Sequence, residues 1–132
     1  LFYDRSNKSL KLNICVDIPK IIQVINNLIS NGIKFTPKGG RIEIKCFINS
    51  EKHLETHFID NGIGIKEEYI PKLFRRFEQT HDTGTDGEQG TGLGLSICKN
   101  IIELHKGKIG VTSKPGSGSD FWFTLPIADT KK

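Results

Sequence analysis

Three groups of residues have types and spacings that could do chemistry. The first is Gly90-Thr91-Gly92-Leu93-Gly94-Leu95, which leads into a helical pattern of apolar residues. Glycines at a helix N-terminus let backbone N–H groups approach an anion, and the helix dipole favours negative charge there. A flexible joint between loop and helix is the plainer reading. Three glycines alternating with Thr and Leu exceed what a joint needs, and Gly94 inside a helix costs about 1 kcal/mol against Ala. The motif therefore favours a phosphate. It is not a Walker loop, because Gly-x4-Gly-Lys-Ser/Thr occurs nowhere in the chain. It is not a dinucleotide fingerprint either, since the third glycine would fall on Leu95. A calcium loop over Asp82, Asp86 and Gly87 fails because Gly84 and Leu93 hold ligand positions.

The second group is Asn27, Asn31 and Lys34, at helical steps along one stripe. A solvated face favours Lys, Glu and Gln, whereas Asn is a poorer helix former. Two amide oxygens suit a hard cation such as Mg²⁺ when phosphates supply the charge, and Lys34 would then meet a phosphate. The third group is Asp60-Asn61-Gly62-Ile63-Gly64-Ile65. Taken alone, Asn-Gly between apolar residues favours a hairpin turn. Alternatively, Asp60 at a strand end accepts from an exocyclic amine and selects adenine, because guanine presents a carbonyl there. The four His (His53, His57, His81, His105) show no metal spacing and no nucleophile, and read as surface or packing residues. The three Cys (Cys15, Cys46, Cys98) lie far apart in apolar segments and read as buried free thiols of a reducing compartment.

These groups need elements to hold them. Leu10, Leu12 and Ile14 alternate as in a strand. Asp17 is a plausible N-cap for a helix with Pro19 in its first turn and Ile21, Ile25, Leu28 and Ile29 among its apolar face, ending before Pro37. Ile42, Ile44, Cys46 and Ile48 form one face of a second strand, and Leu54, Thr56 and Phe58 begin a third after a turn at Asn49-Ser50-Glu51. A short helix is expected over Glu67–Phe74. Residues 78–91 contain no aliphatic or aromatic side chain and read as a lid. A helix over Leu93–His105 stops at Gly107, and strands over Lys108–Ser113 and Phe121–Leu125 flank a turn at Pro115–Gly118. The pattern predicts an α+β layer with helices on one face of a mixed sheet.

The chain's 132 residues suffice for one domain, and no apolar run approaches the ~18 residues of a membrane span. No leader is expected in its first residues, and it reads as a piece of a longer protein. A net charge of +4 hints weakly at an anionic partner. Without basic runs or basic–aromatic interleaving, a small phosphorylated ligand fits and nucleic acid is not expected.

In chain order these motifs resemble sensor histidine kinases. Gln23-Val24-Ile25-Asn26-Asn27-Leu28-Ile29-Ser30-Asn31-Gly32-Ile33-Lys34-Phe35-Thr36-Pro37 is similar to their N box, and Asp60–Ile65 to their first glycine box. Leu73-Phe74-Arg75-Arg76-Phe77-Glu78-Gln79 resembles their F box, Gly90–Ser96 their second glycine box and Gly116–Pro126 their closing strand. The resemblance implies a two-layer α/β sandwich of the Bergerat ATP-binding type, a mixed five-stranded sheet with three helices on one face. It implies a linker or domain start over 1–9, an ATP-binding kinase domain over 10–126 and a tail over 127–132. ATP and Mg²⁺ are the implied cofactors. Asn31 would hold the metal, and Asn27 and Lys34 would serve the phosphates. Asp60 would bond adenine, with Gly62, Gly64 and Ile65 shaping the pocket and Thr124 assisting through a water. Gly90, Thr91, Gly92, Leu93, Gly94 and Leu95 would frame the triphosphate, and Phe77 would couple the lid to the nucleotide. The lid's acids Glu78, Asp82, Asp86 and Glu88, without Lys or Arg, suit closure rather than phosphate binding.

The implied activity is transfer of the ATP γ-phosphate to a His on a dimerisation domain absent from this chain, with a response regulator or receiver domain downstream. The domain is expected in the cytoplasm, with the parent's membrane anchorage open. Alternatives of the same fold are a nucleotide-binding module or ATPase, or an anti-sigma-type serine kinase. The N-box helix has no Glu between Pro19 and Pro37, which argues against ATPases that place a catalytic Glu there. Two departures from the family stand out: Gln79 replaces a frequent Arg, and Gly32 replaces the usual Ala, which should loosen that helix turn.

Overall fold

Asp17 begins the first helix as expected. Its extended backbone and side-chain oxygen cap the Lys20 N–H at 3.3 Å, and α1 then runs Ile18–Lys34. The computed structural model describes residues 3–4, 8–9, 13–75 and 94–128. A two-rung antiparallel ladder of β1 (Tyr3–Asp4) and β2 (Lys8–Ser9) lies where a linker was expected. After α1 come β3 (Ile42–Ile48) and β4 (His53–Asp60), joined by a turn whose Asn49 side chain accepts from the N–H groups of Glu51 and His53. A 3₁₀ helix over Glu67–Lys72 stands where the short helix was expected. Then follow α2 (Gly94–Leu104), β5 (Ile109–Ser113) and β6 (Ser119–Pro126).

The described main sheet is four-stranded, in the order β3-β4-β6-β5, and every neighbouring pair is antiparallel. The expected mixed, five-stranded sheet includes a strand that lies mostly outside the described residues. The crossover from β4 through α2 does lead to a parallel strand, β5, but β6 returns between the two and separates them. Of the strand expected at Leu10–Ile14, residues 10–12 lie outside the described residues. Asn13 and Ile14 are irregular, and Asn13 O accepts from Ala128 N at 2.7 Å.

One face of the sheet meets both α-helices. Phe58, Phe121, Phe123 and Leu125 pack with Ile21, Val24 and Leu28 of α1 and with Cys98, Ile101 and Ile102 of α2. Burying one such aliphatic or aromatic side chain contributes about 1.5–3 kcal/mol. Tyr69 of the 3₁₀ helix joins the same core. At the sheet edge, β3 leaves Ile44 and Ile48 half exposed on the face expected to be buried. Only Cys98 of the three thiols is buried; Cys15 is exposed and Cys46 intermediate, correcting the uniform expectation. His105 ties the helices together. Its Nδ1 donates to Ile101 O at 2.8 Å, so its Nε2 is the acceptor for Asp17 N–H at 3.0 Å.

Candidate nucleotide site

Asp60 ends β4 on the helix-facing side, directly opposite Ser119 of β6, which pairs in turn with Ser113 of β5. Cross-strand partners share a face. The polar row Asp60–Ser119–Ser113 therefore follows the apolar row Phe58–Phe121–Val111. Asp60 is 5% exposed. Its Oδ1 accepts from Gly62 N–H at 2.9 Å and Ser119 N–H at 3.2 Å. Among the described residues no donor meets Oδ2. Burial pushes the carboxyl pKa up, the two backbone N–H groups pull it down, and Asp120 adds a further rise; the net direction is upward.

The turn after Asp60 is fastened to three other segments. Asn61 accepts from Arg41 N–H through its side chain at 2.7 Å. Ile63 N–H donates to Phe35 O at 3.0 Å, and Ile63 O accepts from Gly116 N–H at 2.7 Å. Ile65 N–H donates to Ser113 Oγ at 2.9 Å. This close seating explains the glycines. A Cβ on Gly62 would lie 2.0 Å from Phe35 O, and one on Gly64, whose φ is +75°, would lie 2.0 Å from Lys114 O. Asn61-Gly62 is thus not a hairpin turn but a junction where α1, the β3 start and the β5–β6 turn meet.

Phe35, which receives the Ile63 bond, caps α1 one turn after Asn31; its N–H donates to Asn31 O at 3.2 Å. One helical turn is about 6 Å over four residues, so the Asn31–Lys34 end of α1 lies beside the Asp60–Ile65 turn. Asn31 is half-buried, and its amide has no partner among the described residues. Lys34 Nζ lies over the Phe35 ring, 5.3 Å from its centroid. Asn27 faces α2, its Nδ2 donating to Cys98 Sγ at 3.4 Å. That fixes the amide with its nitrogen toward the thiol. Gly94 is the first described residue of α2, and Leu95 packs at the edge of the core. Ile65 is buried in the core. Phe77, Gly90, Thr91, Gly92 and Leu93, with the whole expected lid, lie outside the described residues.

Thr124 is misplaced for the role expected of it. It pairs with Glu55, five residues along β6 from Ser119, about 17 Å at strand rise. It also belongs to the opposite face, and its Oγ1 accepts from Lys108 N–H at 3.0 Å. Ser119 holds the place beside Asp60 instead. No local signal marks it, because the residue beside Asp60 is set by the β4–β6 register.

The model of the histidine kinase-, DNA gyrase B- and HSP90-like ATPases matches residues 16–129. The chain belongs to this family. Among its relatives is the sensor histidine kinase TmoS of Ectopseudomonas mendocina, 42% identical over 112 residues, covering 85% of this chain and 12% of TmoS. The mycobacterial sensor histidine kinase MprB superposes with a TM-score of 0.78 at 25% identity, covering 89% of this chain and 78% of that one. Full-length ShkA in complex with AMPPNP gives 0.75 at 26% identity, over 92% of this chain and 24% of ShkA. Within the ATPase family the chain is thus of the sensor histidine kinase type, and it spans about an eighth of TmoS. No described helix is long and apolar enough to cross a membrane.

Proposed function

We propose that this chain is the ATP-binding catalytic domain of a two-component sensor histidine kinase, over residues 10–126. It passes the ATP γ-phosphate to a His on the dimerisation domain of a longer protein, which then serves a response regulator or receiver domain in the cytoplasm. The observation that carries this reading is Asp60: a buried carboxylate with one oxygen held by two backbone N–H groups and the other left to accept, beside the amide end of α1. That arrangement suits the adenine amine. The resemblance to ShkA, whose structure holds AMPPNP, supports it.

Asp60 reads the base, while Gly62 and Gly64 keep the junction thin enough for a ring to approach. Asn27, oriented by Cys98, and Lys34 serve the phosphates. Gly90, Thr91, Gly92, Leu93, Gly94 and Leu95 frame the triphosphate, and Phe77 couples the lid. Asn31 offers a neutral amide oxygen with no partner among the described residues, a donor that suits Mg²⁺ when the phosphates supply the charge. Mg²⁺ would neutralise charge on the transferring phosphoryl group. Positioning and charge compensation are most of what phosphoryl transfer asks of a protein. A five-stranded sheet with three helices on one face belongs to the same reading, the 3₁₀ helix serving as the third helical piece.

Calorimetry with ATP, ADP and GTP, with and without Mg²⁺, tests the reading. ATP should bind in preference to GTP, and both Mg²⁺ removal and Asn31→Ala should weaken ATP more than adenosine. Equal binding of ATP and GTP would overturn it.

A further inference from the structure

Resting on this adenine-nucleotide reading, we propose that Ser113 is a positioning and specificity residue: by taking the hydroxyl proton of Ser119, it leaves the base edge beside Asp60 lined by acceptors only. Such an edge takes a purine with a 6-amino group and refuses one with a 6-carbonyl.

The direction of each bond follows from counting protons. Ser113 Oγ has three partners: Ile65 N–H at 2.9 Å, Gly118 O at 2.9 Å and Ser119 Oγ at 2.8 Å. A hydroxyl has one proton and two lone pairs. A carbonyl can only accept, so the Ser113 proton goes to Gly118 O. The backbone N–H of Ile65 occupies one lone pair. The remaining lone pair can only receive a proton, so Ser119 donates to Ser113. Ser119 keeps two lone pairs and has no proton for a ligand.

Placement makes this matter. Ser119 pairs with Asp60 on one side and Ser113 on the other, so all three stand on the helix-facing side. Asp60 and Ser119 are each 5% exposed, beyond easy rescue by solvent. Asp60 commits Oδ1 to two backbone donors, and Oδ2 can only accept. A 6-carbonyl set here faces lone pairs with no donor, and an unpaired buried acceptor is costly.

The test measures ATP and inosine triphosphate, which carries a carbonyl at position 6, against the whole chain and its Ser113→Ala and Ser113→Thr variants by calorimetry with Mg²⁺. The wild type should prefer ATP. Ser113→Ala frees the Ser119 hydroxyl to donate and should narrow the ATP-to-ITP ratio about tenfold, the size of one hydrogen bond. Ser113→Thr keeps the hydroxyl and should keep the ratio. A merely structural role would weaken both nucleotides alike, so an unchanged ratio in folded Ser113→Ala overturns the proposal. If that variant does not fold, Ser119→Ala decides: a narrowed ratio supports the proposal and an unchanged one overturns it. A wild type that binds no ATP would instead remove the adenine reading itself.

Discussion

Asp60 carries an upward-shifted pKa because burial outweighs its two backbone donors. Only the ionised form accepts through both oxygens. Adenosine, which has no titrating phosphate, should therefore bind more weakly as pH falls toward the carboxyl's raised value, above the ordinary 3.8. Affinity measured by competition across that range checks this. On the opposite face, His57 sits between two carboxylates, Nε2 at 2.6 Å from Glu55 and Nδ1 at 2.8 Å from Asp120, with the Phe47 ring stacked at 5.6 Å. Burial opposes its charge, but the two carboxylates win and raise its pKa above 6.5; Glu55, hydrogen-bonded by Asn49 and His57 against its own burial, falls below 4.5. A raised His contributes stability fully below its unfolded value and loses it as pH rises through the folded one. The Glu55 share is present above 4.5 and lost as pH falls through its lowered value. Urea unfolding should show His57→Gln destabilised below pH 6.5, with the gap to wild type closing as pH rises through the raised His57 value.

Each helix and turn is pinned by a contact that its own sequence states only in part. The α1 start was readable from Asp17 and Pro19, since capping is local. The α2 end was only half readable. Lys106, not Gly107, takes the left-handed conformation, with φ +65°, while Gly107 N–H closes on Ile102 O at 3.0 Å. Gly32, expected to loosen α1, is buried where a Cβ would stand 3.0 Å from Ile42 Cδ1. Ile42 lies half-buried on edge strand β3 and can give way. Gly32→Ala should therefore gain up to about 1 kcal/mol of helix propensity, read as a raised melting temperature. Gly64 offers no such freedom, because its φ is positive and Lys114 O fills the Cβ position. Gly64→Ala should cost about 2–4 kcal/mol in denaturant unfolding.

In the assembled molecule, what the sequence made legible is what repeats or caps locally: α1, α2, the two hairpins and the polar motifs at their ends. What it left hidden is register. Nothing in Phe121–Leu125 tells which β6 residue faces Asp60, so Thr124 stood in for Ser119 until the pairing with β4 put it five residues away. The strand order was hidden for the same reason, since β6 inserts between β4 and β5. The exposed Ile44 and Ile48 show the limit of periodicity, which marks a face without saying whether anything covers it. The junction at Asp60–Ile65 brings together residues from α1, β4, β5 and β6, and binding there should depend on the carboxylate at its centre. Calorimetric titration of ATP–Mg²⁺ into wild type and Asp60→Ala, with folding checked by circular dichroism, measures that dependence directly. A folded variant whose ATP affinity drops at least about tenfold, as loss of a hydrogen bond to a charged group implies, is the predicted result. A folded Asp60→Ala that binds ATP as tightly as wild type would contradict it.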